Sequence, residues 1–209
     1  MPNPQPLSLS LSFTDAITVL MDACGLSSEA RSAFDARVRH LQRLGVPYRR
    51  DDAAARLHYG ISELAAFATA VRLMDAFMAP ALAARYVTEG WSALAPFLMA
   101  GAADALPQSY TVRRSIPGAS IAVFRANALA MLGKRRQHDD RSDEPLGDVL
   151  ICSEARTARV AEAVDGAALV LDSRTYLPAI VRGWAERLSA TENELAHELD
   201  RLLFYGQAS

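Results

Sequence analysis

Between residues 27 and 91, two stretches with apolar residues at helical spacing flank a segment that is basic and has little to bury. No other feature so narrows the folds open to this chain. Ser27, Ser28 and Glu29 open a helix in which Phe34, Val38, Leu41 and Leu44 recur at helical spacing, while Arg31, Arg37, Arg39 and Arg43 project from other faces. Gly45 is its expected stop. After Val46, Pro47 and Tyr48 come Arg49, Arg50, Arg56 and His58, on a connection of about a dozen residues that is too charged for a core and too short for a domain. A wing or hairpin tip suits such a segment.

The neighbouring stretches extend the pattern. Thr14 is the expected cap of a first helix whose Ile17, Leu20, Met21 and Cys24 share one stripe, and Gly25 closes it. The next helix begins within a few residues, so the pair is joined by a tight Gly-Leu-Ser turn, the connection of a helix-turn-helix. Beyond the basic segment, Ser62 is the expected cap of a helix carrying Leu64, Phe67, Ala68, Val71, Met74 and Phe77 and ending near 78–79. Pro80 then opens a fourth with Leu82, Tyr86 and Val87 inside, since a proline at the first helical position gives up an N–H that has no partner there. Residues 91–99 read as a short helix interrupted near Pro96, and the Gly, Ala and Pro of 101–107 mark a boundary.

Past that boundary the period changes. Residues 110–114, 120–124, 149–152 and 167–171 each read as strands, and 176–188 and 192–204 as helices. The last helix opens on Thr191 with Glu194 three residues on, a capping-box pattern, and carries the stripe Leu195, Leu199, Leu202. Residues 134–144 hold nothing apolar and are expected to form an exposed, mobile loop. The expected fold is a mainly α N-terminal winged helix-turn-helix plus a smaller α/β C-terminal domain. Its divisions are an arm over 1–12, the winged helix-turn-helix over 13–100, a linker over 101–109 and the α/β domain over 110–209.

Composition enters through its distribution. The 209 residues are 51% hydrophobic, and 22 Lys+Arg against 24 Asp+Glu give no overall sign of a nucleic-acid binder. From Arg31 to Gly60, however, seven Arg face three Asp, whereas 143–209 carries twelve acidic residues against six Arg. Such polarity can steer a charged partner. Cys24 and Cys152 read as buried free thiols, which implies a reducing compartment. No signal-peptide pattern opens the chain and no apolar run reaches about 18 residues, so a cytoplasmic protein outside the membrane is expected.

The order of helix, Gly25 turn, helix, Gly45 exit, basic segment and further helices from Ser62 and Pro80 resembles the MerR-type winged-helix family. Leu44-Gly45-Val46-Pro47 stands where that family leaves its recognition helix. Arg56-Leu57-His58-Tyr59-Gly60 stands where it has an Arg and an aromatic just before a Leu-rich helix. The resemblance covers residues 13–91. In place of the long dimerisation helix common in that family, the chain continues into the 110–209 region. The resemblance implies a transcriptional regulator that reads duplex DNA.

On this reading Ser28, Arg31, Ser32, Arg37 and Arg39 belong to the groove-facing helix, with Arg31 reaching guanine edges, and Arg49, Arg50, Arg56 and His58 meet the phosphates. The plain alternative is the solvated face of an Arg-rich helix. His40 and His58 lack Cys or carboxylate at ligand spacing, so no metal is expected. Ser153-Glu154, Asp172-Ser173-Arg174 and His197 could be written as a hydrolytic set. The chain has no Gly-x-Ser-x-Gly elbow, phosphate loop or dinucleotide fingerprint, so neither an enzyme nor a cofactor is expected. Asp172, Ser173, Arg174 and Tyr176 read as caps at a strand end, or as the lining of a ligand pocket or subunit contact. The expected partners are double-stranded DNA and a second copy of the chain, the dimer face being Leu195, Leu199 and Leu202 with Trp184 and Leu188. The C-terminal half dimerises or senses a small-molecule or protein effector. The alternative function is a protein-interaction or small-ligand-binding module whose basic helix meets an acidic partner.

Overall fold

The computed structural model describes residues 9–47, 59–106, 119–125, 146, 149–162 and 168–204. Of the residues expected to touch DNA, Arg49, Arg50, Arg56 and His58 lie outside these, as do the expected strand at 110–114 and the expected loop at 134–144. The described chain is mainly helical. Helices α1 (Phe13–Cys24), α2 (Arg31–Arg43), α3 (Ile61–Asp75), α4 (Pro80–Glu89) and α5 (Trp91–Ala103) precede strand β1 (Ile121–Arg125). Strand β2 (Val149–Cys152), helix α6 (Thr157–Glu162), strand β3 (Ala168–Asp172) and helices α7 (Leu177–Leu188) and α8 (Glu192–Phe204) follow.

Helix α3 is the centre, because twelve of its fifteen residues are buried. Its Leu64-Ala65-Ala66-Phe67-Ala68 run is apolar on every side, and a helix without a polar face has to be enclosed. It is packed by α1, α2, α4, α7 and α8, so helices from both sides of 101–109 share one core. Of the expected linker, residues 101–106 are described, and Ala102 and Leu106 belong to that core. Helix α5 continues through Ala103 with its last residues buried, and it holds Pro96 without interruption, giving up only the bond that the missing N–H would have made to Ser92.

The strands form an antiparallel sheet in the order β2-β1-β3, with Val123 opposite Leu150 on one side and Val170 on the other. Central β1 is buried on both faces, as its unbroken Ile-Ala-Val-Phe run requires. Ala122 and Phe124 enter the main core, where Phe124 meets Tyr86 edge-on at 5.2 Å. Ile121 and Val123 point the other way, to Cys152 and Val160. Both cysteines are free and buried, as expected.

Several expected helix starts move. Ser12, not Thr14, caps α1, its Oγ accepting from the Asp15 amide at 3.1 Å. Helix α2 has no side-chain cap, because Ser28–Ala30 forms a 3-10 turn ahead of it. Helix α3 begins after Gly60 with Ser62 inside its first turn, and it stops at Asp75, short of the expected 78–79. The Thr191 and Glu194 capping box forms as expected, with the Thr191 amide donating to Glu194 at 2.8 Å.

Four helices close with the same pair of hydrogen bonds, and each puts one residue in the left-handed region. Gly25 (φ 68) and Gly45 (φ 92) serve α1 and α2, whereas Phe77 (φ 65) serves α3 and Ser189 (φ 49) serves α7. Phe77 bears both costs at once, since it has a strained backbone and a ring left 99% exposed. Phe77→Gly is expected to raise stability by about 1 kcal/mol, read as a higher denaturation midpoint. A lower midpoint would mean that the ring has a partner within the fold.

The stripe expected to form a dimer face is consumed inside the chain. Leu195, Leu199 and Leu202 on α8 and Trp184 on α7 are buried in the common core, with Leu188 partly buried against it, because α8 packs on α3 and α5 and α7 packs on α1. Leu199→Asp should therefore cost more than about 4 kcal/mol and yield an unfolded chain by circular dichroism. A folded, monomeric variant would return the stripe to an interface.

Candidate nucleic-acid interface

Helix α2 is the least enclosed helix of the N-terminal half. Phe34, Val38 and Leu41 anchor it to the core, and a helical turn of 100° per residue puts Ser32, Ala36, Arg39, His40 and Arg43 on the opposite side. All five are exposed. The chain enters the region through residues 9–12, where the Leu11 amide donates to the Tyr59 carbonyl at 3.2 Å and the Tyr59 amide to Ser10 Oγ at 3.0 Å. Tyr59, just ahead of α3, is thereby held against the residues that lead into α1. Gln42 Nε2 of α2 donates to the Tyr59 hydroxyl at 3.1 Å.

The arginines of α2 divide by phase. Arg31 lies on the flank toward α1, where Nη1 donates to Thr18 Oγ1 at 3.2 Å and Nη2 to the Thr14 carbonyl at 3.3 Å. Arg37 lies on the flank toward α3, 3.5 Å from Asp75. Both are exposed, and each also links α2 to a neighbouring helix. Arg39 is intermediate. Its Nε donates to Asp35 at 2.8 Å and its guanidinium covers the Phe13 ring at 4.6 Å, so it is oriented while remaining on the outer face. Arg43 and His40 make no hydrogen bond or ion pair with a described residue, and Ser28 and Ser32 are exposed. His40 and Arg43 stand outside the set expected to touch DNA, although the phase set by Phe34, Val38 and Leu41 is enough to find them.

Behind this face is a buried charge cluster that sequence reasoning missed. The Gly60 amide donates to Glu63 Oε2 at 3.0 Å and the Ile61 amide to Glu198 Oε2 at 3.2 Å. Arg201 reaches Glu198 at 2.6 Å and Glu63 at 3.5 Å. Glu63 and Glu198 are 1% and 2% exposed. Only the Glu63 half has a local signal, at the third position of a helix whose preceding glycine has no capping side chain. Burial pushes the Glu63 carboxyl up to about 7, with Glu198 adding to the rise, against the pull of Arg201 and the backbone N–H groups. A raised folded value means that the contribution of Glu63 to stability is complete below its unfolded value near 4.5 and is lost as the pH climbs through 7. Denaturant titrations at pH 5 and 7.5 should differ less for Glu63→Gln than for the wild type, by on the order of 2–3 kcal/mol. Equal differences in the two proteins would remove Glu63 as the source.

The residues after β3 lock structure. Arg174 grips Asp172 with Nε and Nη2, the latter at 2.7 Å, and also reaches Glu154 at 3.1 Å. Burial pulls the Asp172 carboxyl upward, but the hydrogen bonds and charge of Arg174 outweigh it and hold the group below the usual range. Ser173 Oγ lies 2.7 Å from the Phe97 carbonyl, and the buried Tyr176 hydroxyl lies 2.9 Å from Thr69 Oγ1. The capping alternative describes these residues, and none of them shares a hydrogen bond with the exposed His197. Among the described residues no group of His, Cys, Asp and Glu could hold a metal ion, and no helix is long and apolar enough to cross a membrane. Comparison of the chain with family models, curated proteins and solved structures gives no match.

Proposed function

We propose that this protein binds double-stranded DNA through the outer face of α2, as a MerR-type regulator of transcription. The observation that carries the reading is a helix fixed on both flanks by Arg31 and Arg37 whose outward residues, Ser32, Ala36, Arg39, His40 and Arg43, are left to solvent. A groove-reading helix needs this combination, because position has to be set before base edges can be distinguished. Arg39 and Arg43 are suited to guanine edges or phosphate, Ser32 to phosphate, and Ala36 to close approach or a thymine methyl group. Arg49, Arg50, Arg56 and His58 supply further phosphate contacts from the basic segment. Two copies would give the specificity ratio that one reading helix lacks, and their contact would use a surface other than the Leu195, Leu199 and Leu202 stripe. The proposal places the protein in the cytoplasm, with an effector acting on the C-terminal half.

Arg43→Ala should weaken duplex binding and reduce the slope of log affinity against log salt by about one, and Arg49→Ala with Arg50→Ala by about two. Fluorescence anisotropy on a pool of genomic fragments, with salt varied, reads both effects. A wild-type protein that binds no duplex at low salt would overturn the reading. A second reading, a module that docks on a protein partner, is favoured by Phe77, whose exposed ring has no use within the fold. Partner capture lost on Phe77→Gly, with no duplex affinity in the wild type, would select it.

A further inference from the structure

The cluster at the start of α3 ties together parts of the chain that lie far apart in sequence. Helix α3 has no side-chain cap, since Gly60 precedes it, yet it is buried and its first amides need acceptors. Glu63, in its own first turn, serves Gly60. Ile61 is served by Glu198, from the last helix of the chain. The fit is close: a Cβ at Gly60 would collide with the Glu198 and Glu63 carboxylates, and those side chains would have to shift to admit one, while the Gly60 φ of −87° is open to any residue. Among the described residues the charged members are Glu63 of α3 and Glu198 and Arg201 of α8. Trp91 of α5 enters beside them as a neutral donor to the Leu202 carbonyl at 2.9 Å.

The residue before Gly60 is the point where the basic segment rejoins the helical body. Tyr59 is 8% exposed and is held by Ser10, by Leu11 and by Gln42 of α2, and its ring lies 5.9 Å from that of Phe13. Phe13 in turn carries the guanidinium of Arg39. A continuous series of contacts thus runs from Glu198 through Ile61, Gly60 and Tyr59 to Gln42 on one branch, and to Phe13 and Arg39 on the other. Both branches end on the helix whose outer face is the candidate interface.

We propose that Glu198 is a positioning residue for duplex binding: by holding the Gly60–Ile61 backbone from α8, it sets Tyr59 and through it the outer face of α2. The inference rests on the duplex-binding reading above and adds to it a route by which the C-terminal half governs that binding. A signal that shifts α8 would be felt at Arg39 without touching DNA.

The sign of a charge effect makes the test decisive. Glu198→Gln and Asp200→Asn each remove one negative charge from α8, but Asp200 is exposed and outside the cluster. Electrostatics alone would leave both variants binding a polyanion as well as the wild type or slightly better. The proposal instead expects Asp200→Asn to behave that way and Glu198→Gln, in the full-length chain and corrected for folded fraction, to bind about threefold to thirtyfold more weakly. Combination with Tyr59→Phe should give a loss smaller than the sum of the two, because both changes act through one contact series, whereas a loss of stability alone would give additive effects. If Glu198→Gln does not fold, Arg201→Lys, at the partly exposed edge of the cluster, is expected to fold and to show a smaller loss of the same sign. Glu198→Gln or Arg201→Lys binding as Asp200→Asn does, or losses that add, would overturn the positioning role and leave duplex binding standing. A wild-type chain without duplex affinity would overturn both.

Discussion

A helix with no polar side dictates much of this structure. Once α3 is enclosed, both of its ends become buried or half-buried junctions, and the groups that satisfy them come from elsewhere in the chain. At the start, Glu63 and Glu198 accept from Gly60 and Ile61, and their charge faces the positive end of the helix dipole. Near the end, Arg72 donates to the Ala23 carbonyl of α1 at 3.0 Å, and Asp75 holds Arg37 of α2. Burial of one apolar helix thus fixes the positions of α1, α2 and α8. The same enclosure raises the Cys24 thiol to about 11, burial outweighing the nearby Arg72, so this cysteine is a packing residue and not a reactive one.

Arginine count and arginine availability diverge on α2 for the same reason. A helix that touches the body along one narrow stripe is held at its flanks by long side chains, and Arg31 and Arg37 do this with backbone and carboxylate partners. On the outer face Arg43 has no hydrogen-bond or ion-pair partner among the described residues, and Arg39 is pre-oriented on Phe13. A residue already held by aromatic contact loses less rotamer freedom on meeting a ligand. The acidic excess at the other end is likewise smaller at the surface than in the sequence, since Glu198 is buried and matched by Arg201.

Local pattern is enough for three strands, the Thr191 box and every helix except the short α6, because each depends on spacing within a few residues. It misplaced what depends on distant partners. Ser62 looks like a cap in the linear sequence, but the enclosing core draws in Glu198, 137 positions downstream of Ile61, and Ser62 is carried into the first turn. Pro96 looks like an interruption, and 101–103 like the start of a linker, only while the elements that cover α5 are unknown. The stripe on α8 is apolar in the sequence, but periodicity alone does not say whether a partner copy or the chain's own α3 and α5 covers it. On α2 the helical phase is legible in the sequence and the partners are not, because which arginines are engaged depends on Thr14, Thr18 and Asp75, all outside that helix.

The shared core also bears on how any function is exercised. Helices α1, α3 and α5 present their apolar sides to α7 and α8, so residues on the N-terminal side of 101–109 lack a closed core of their own. Removing the C-terminal helices would expose part of that core, and would leave the Ile61 amide without its acceptor. Whatever alters the seating of α8 alters the stability of α3, and α3 is, with α1 and α4, part of the support on which α2 is mounted.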